Sequence, residues 1–247
     1  MATVLLVRHG RTTANASGVL AGRLAGVRLD ETGMQQARAA AERIAVVPFV
    51  ALATSPQERC RQTAKAIGAA RTSGPRPVTE RGLAECDYGD WQGRKIRELA
   101  KEKLWSTVQR QPSAAAFPGG ESMVAMRHRA VEAVRRHDAA VEAEHGPGAV
   151  WVAVSHGDVI KAILADALGM HLDLFQRINV DPASVSIVQY TADRPYLLAS
   201  NTHAGDLSWL VRPPGKRTRR SGATVGGGAG PTGSDRSPAR SRPAGRS

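Results

Sequence analysis

Three short apolar runs in this chain each stop at a polar pair: Val4–Val7 at Arg8-His9, Val50–Ala53 at Thr54-Ser55, and Val150–Val154 at Ser155-His156. Aliphatic runs of this length, without polar alternation, suit strands buried on both faces. Val185–Val188 and Tyr196–Ala199 are two further strand candidates. Between the runs lie helix-like segments at Thr32–Val46, Gln57–Ala70, Arg94–Leu104, Ser122–Glu144 and Val159–Leu168. Asp30, Ser55-Pro56 and Glu121-Ser122 supply start signals, and Gly146-Pro147-Gly148 ends the long helix. Strands alternating with helices predict an α/β sheet covered on both faces. Ligands bind such sheets at the carboxyl ends of the strands, where the three polar pairs fall. Arginine beside histidine at the end of a buried strand is costly unless it is used.

The bulk properties exclude several classes. No apolar stretch approaches the roughly 18 residues of a membrane span, and the N-terminus lacks the basic flank and apolar run of a secretory signal. A soluble cytoplasmic protein is expected. Cys60 and Cys86 make neither a disulfide framework nor a zinc site, and read as two small buried thiols in a reducing compartment. The net charge is +12, but residues 213–247 carry eight Lys/Arg against Asp235 alone, leaving +5 for residues 1–212. That Gly/Ser/Pro/Arg-rich tail has almost no large apolar residues and is expected to be disordered. It has no aromatic side chain for base stacking, so nucleic-acid binding through it would be nonspecific at most. The expected organisation is a catalytic domain over residues 1–212 and a tail over 213–247.

Four segments carry chemistry: Arg8-His9-Gly10, Ser55 through Arg59 and on to Ala64, Leu83 through Glu85 to Gly93, and Ser155-His156-Gly157. Together they offer two histidines, two arginines and a carboxylate at strand ends. Arginines neutralise a phosphoryl group, a histidine attacks phosphorus, and a carboxylic acid protonates the departing oxygen. No cluster with metal-ligand spacing stands out, so a metal-independent route without a cofactor is expected over a two-metal site.

With these residues the chain resembles the histidine phosphatase superfamily, the phosphoglycerate-mutase-like group. The likeness runs over roughly residues 3–205 and includes Arg8-His9-Gly10 with Thr12 and Asn15, Gly22-Arg23, Asp30 with Gly33 and Gln36, Ser55-Pro56 with Arg59, Gln62 and Thr63, Glu85 with Tyr88-Gly89 and Trp91, Pro118 through Ser122, and Ser155-His156-Gly157. The resemblance implies a three-layer α/β/α sandwich on a mostly parallel central sheet. It implies His9 as the nucleophile, Glu85 as the proton donor, and Arg8, Arg59 and His156 as the phosphate pocket. Asn15, Gly22 and the backbone at Gly157 match phosphate or substrate contacts. Arg11 stands where an acid or glutamine is common, and its charge at the pocket mouth would favour polyanionic substrates. Gln57 replaces a common leucine and Gln92 a common glutamate, neither in a core catalytic role.

Phosphatase and phosphomutase share this pocket. Cys86-Asp87-Tyr88 replaces the Arg-His-Tyr segment usual in cofactor-dependent mutases, and Gln111–Phe117 offers no arginine pair, which favours a phosphatase acting on a small phosphorylated metabolite. Lys95 and Arg97 keep the mutase alternative open. A non-catalytic scaffold would have lost His9, Arg59 or His156, and all are present. A homodimer is compatible with this reading. His128, His137 and His145 read as a solvated helix face, His171 as a post-helix loop residue, and His203, near enough the end of the last strand to approach the crevice, as structural.

Overall fold

The computed structural model describes residues 2–203. The expected boundary at 212/213 and the tail over 213–247 lie outside the described residues. The strands are β1 (Thr3–Arg8), β2 (Phe49–Thr54), β3 (Val78–Thr79), β4 (Val150–Ser155), β5 (Val185–Tyr190) and β6 (Pro195–Thr202). The helices are α1 (Thr13–Ser17), α2 (Glu31–Ala45), α3 (Glu58–Ala69), α4 (Ile96–Leu99), α5 (Lys103–Arg110), α6 (Met123–His145) and α7 (Gly157–Ala167).

The six strands form one mixed sheet in the order β3-β2-β4-β1-β5-β6. β1 and β2 both run parallel to β4, and β3 runs parallel to β2. β5 is antiparallel to β1, and β6 to β5. The apolar runs at Val4 and Val150 therefore lie adjacent at the centre, in the register Arg8↔Ser155. Successive side chains of a strand face opposite ways. Val4 and Leu6, with Trp151 and Ala153, pack under α6 and α7 against Met126, Ala130, Val134 and Ile163. Leu5 and Val7, with Val152 and Val154, pack under α2 and α3 against Ile44, Ala64 and Ile67. Two apolar layers on one central sheet make the expected three-layer α/β/α sandwich. Among the described residues, no helix is long and apolar enough to cross a membrane.

Local structure departs from the sequence reading in three places. The expected helix Arg94–Leu104 divides into α4 and α5. Gly93 takes φ +82°, Lys95 bridges to Val19, and the Ile96 amide donates to the Gly18 carbonyl, so the backbone before Ile96 serves the first loop instead of a helix. The short α1 was not expected. It is started by a capping box in which the Thr12 side chain accepts from the Asn15 amide and the Asn15 side chain accepts from the Thr12 amide. The two-residue β3 was also not expected, and its Val78 is exposed.

Candidate active site

β1 and β4 end side by side, and the His9 amide donates to the Ser155 carbonyl at 3.0 Å. This brings Arg8 and His9 against His156, which follows β4 as the N-cap of α7. Arg59, in the first turn of α3, reaches both histidines. Glu85 comes from the loop between two 3-10 turns, Arg81–Leu83 and Gly89–Trp91. All five residues are buried, none more than 2% exposed.

The hydrogen bonds assign both tautomers. A guanidinium only donates. Arg59 Nε lies 3.2 Å from His9 Nε2, so that nitrogen carries a lone pair. The proton sits on Nδ1, which donates to the Gly10 carbonyl at 2.7 Å. Arg59 Nη2 lies 3.1 Å from His156 Nδ1 and also donates to the Gly22 carbonyl at 2.8 Å. His156 Nε2–H then faces Ser55 Oγ at 2.7 Å and Gln57 Oε1 at 3.1 Å. The His9 and His156 ring centroids are 5.2 Å apart. Burial, then the Arg59 charge, hold both imidazoles well below the ordinary histidine range, so both are neutral near pH 7.

The two guanidiniums leave donors over. Arg8 Nη1 donates to the Val180 carbonyl at 2.8 Å, but Arg8 Nε and Nη2 and Arg59 Nη1 are buried and have no hydrogen-bond partner among the described residues. Orphaned buried donors are costly, and an anion beside His9 satisfies them.

Glu85 has the opposite environment. Its Oε1 accepts from the Cys86 amide at 2.9 Å, and its Oε2 lies 3.8 Å from His156 Nδ1. Burial, followed by the nearby Asp158 carboxylate, pushes its pKa up to about 7. Asp158 is fixed behind it by the Tyr88 hydroxyl at 2.8 Å and by the buried Lys161 ammonium at 3.4 Å. A nucleophilic nitrogen, unsatisfied cationic donors and a carboxyl able to hold a proton thus converge at one strand end.

The loop bearing Glu85 is clamped by residues that the sequence reading gave no role. Arg23 Nε and Arg129 Nη2 both donate to the Glu85 carbonyl, at 2.8 and 3.0 Å, and Arg129 Nη1 holds the Gly82 and Ala84 carbonyls. Glu121 pairs with both arginines. The Gly22-Arg23 and Pro118–Ser122 segments carried that signal. Arg129, on the long helix, gave none.

Other sequence candidates are placed as follows. Gly22 takes φ +52° and presents its carbonyl to Arg59. Asn15 lies on α1, its Oδ1 accepting from the Thr12 amide and hydroxyl. Gly157 is the first residue of α7. Arg11 does not place its charge freely at the pocket mouth: its Nε donates to Asp30 Oδ2 at 2.8 Å and its Nη2 to Thr32. Gln57, given no catalytic role from sequence, lies against His156. Gln92 accepts from the Arg23 amide. Both thiols are buried, and burial raises their pKa, that of Cys60 to about 12. His137 is half-buried, not solvated: its ring stacks on Trp151 at 5.4 Å and its Nε2 lies 2.9 Å from Glu80. His203 is exposed beside Asp181.

Known proteins share this framework. The chain is 32% identical over 219 residues to a protein of Yersinia pestis described as a probable phosphoglycerate mutase, covering 86% of this chain and 97% of that one. A mycobacterial glucosyl-3-phosphoglycerate phosphatase solved with VO3 is 27% identical with a TM-score of 0.73, over 81% of this chain and 99% of that one. YhfR of Bacillus stearothermophilus is 25% identical with a TM-score of 0.74, over 83% and 98%. The profile of the histidine phosphatase superfamily (branch 1) matches residues 4–203, from β1 to the end of β6, and the chain belongs to that superfamily.

Proposed function

We propose that this chain is a metal-independent phosphatase that hydrolyses a small phosphomonoester through a phosphohistidine on His9, with Glu85 as proton donor. The observation that carries the reading is the set of buried, unpartnered donors on Arg8 and Arg59 beside the lone pair of His9 Nε2. These donors neutralise the equatorial oxygens of a phosphoryl group held in line with Nε2. Nε2 attacks phosphorus, the bond from phosphorus to the ester oxygen breaks, and that oxygen takes the Glu85 proton as the alcohol departs. Water then attacks the phosphohistidine and gives its proton to the Glu85 carboxylate. The N–P bond breaks, and inorganic phosphate leaves. Membership of a superfamily of phosphatases and phosphomutases supports an enzyme.

The competing reading is a phosphomutase, favoured by the 32% identity to a probable phosphoglycerate mutase. Against it, the carboxylate of Asp87 stands two residues after the acid and faces Arg23. A phosphomonoester panel assayed with and without 2,3-bisphosphoglycerate separates the two. Release of inorganic phosphate without the bisphosphate is expected. Bisphosphate-dependent isomerisation without release overturns the phosphatase reading.

A further inference from the structure

Resting on the site described above, we propose that Gln57 is a positioning residue. Its carboxamide oxygen holds His156 with the proton on Nε2, which leaves Nδ1 facing the transferring phosphoryl group.

The argument begins with the two edges of the His156 ring. The Nδ1 edge faces the reacting groups, Arg59 Nη2 at 3.1 Å and Glu85 Oε2 at 3.8 Å. The Nε2 edge faces away, toward Ser55, Gln57 and Cys60. A serine hydroxyl can donate or accept, so Ser55 alone does not fix the direction of the proton. Gln57 Oε1 only accepts. It receives the Ser55 hydroxyl and lies 3.1 Å from His156 Nε2, so the ring proton is directed outward along one chain of donors. The same oxygen faces the Glu85 amide at 3.4 Å, linking the second histidine to the acid loop. Gln57 is the N-cap residue of α3 but makes no side-chain cap bond, so its carboxamide is committed to this contact instead of to the helix.

Arg59 enforces the tautomer in the resting site, but a bound phosphoryl group competes for that guanidinium. Among the described residues, Ser55 Oγ and Gln57 Oε1 are then the oxygens that accept from Nε2–H, with the Cys60 thiol farther off at 3.4 Å. They allow His156 to gain a proton on Nδ1 and donate it to a phosphoryl oxygen. The titratable and charged groups around the ring are Arg8 from β1, His9 from the loop after it, Arg59 and Cys60 from α3, Glu85 from the acid loop and Arg129 from α6.

Two variants test this on the full chain loaded with inorganic phosphate, which competes for Arg59, with proton–nitrogen NMR of labelled histidine as the primary readout. Wild-type His156 is expected to hold its proton on Nε2. Gln57→Leu keeps the bulk and removes the acceptor. It is expected to populate the Nδ1–H form and to lower kcat about 5- to 20-fold, with KM nearly unchanged. Gln57→Glu restores an acceptor and adds charge beside Nε2–H. It is expected to keep the tautomer and move the His156 titration to higher pH. An unchanged tautomer in Gln57→Leu, or an unshifted titration in Gln57→Glu, overturns the assignment. The NMR arm reads the phosphate-loaded protein and needs no turnover, so a wild type without phosphatase turnover refutes the proposed reaction while the tautomer still decides the Gln57 assignment.

Discussion

The proton positions at the site follow from what each side chain can donate. Arg59 has no acceptor, so its contacts with His9 Nε2 and His156 Nδ1 leave both nitrogens as lone pairs. Glu85, buried near Asp158, retains its proton up to about pH 7. This predicts an activity profile for poor leaving groups that falls as pH rises through that value. Glu85→Gln is expected to slow such substrates far more than an activated aryl phosphate, which needs little protonation; equal losses would remove Glu85 as the acid. A stability effect accompanies the shift. A carboxyl whose pKa is raised on folding binds more protons folded than unfolded between its ordinary value and about 7, so stability falls as pH rises through that window. Glu85→Gln, free of that loss, is expected to gain on wild type by about 3 kcal/mol between about pH 4 and pH 8, read by denaturant titration at each pH. Arg11 is paired with Asp30, so Arg11→Gln is expected to leave the preference between mono- and polyanionic substrates unchanged, as measured by kcat/KM ratios.

At the scale of elements, the loop after β1 carries His9 and is held by α2 and α3. The Gly10 amide donates to Thr63, the Arg11 amide to Gln36, and the Leu29 amide to Gln62. A Cβ on Gly33 would lie 1.9 Å from the Arg11 carbonyl oxygen. Gly33→Ala is therefore expected to cost about 1–3 kcal/mol in denaturant titration and to lower kcat by displacing His9; an unaffected kcat would mean that the loop adapts independently of the site. The long elements were legible because apolar periodicity is continuous along them, as in β1, β4, α2 and α6. The short ones were not. α1 depends on the Thr12–Asn15 capping box and lacks an apolar stripe, and the split between α4 and α5 depends on Lys95 pairing with Val19 far back in the chain.

Across the whole molecule, the sheet order places β1 beside β4 and so brings Arg8, His9 and His156 together, with Arg59 delivered from the helix after β2. These residues were legible because each follows an apolar run or opens a helix. Gln57 and Arg129 were not, because their partners lie far away in sequence and only packing reveals them. Every group named at the site, the Val180 carbonyl that holds Arg8 included, falls between residues 8 and 180. Deleting residues 213–247 is therefore expected to leave kcat on an aryl phosphate unchanged, and a large fall would bring the tail into the reaction. The central claim is phosphoryl transfer to His9, and rapid-quench labelling with a radiolabelled phosphomonoester tests it most directly. An acid-labile label that maps to His9 in the wild type is predicted, together with no label and a turnover loss of about a thousandfold or more in His9→Ala. Retained turnover in that variant, or a label on another residue, would contradict the account.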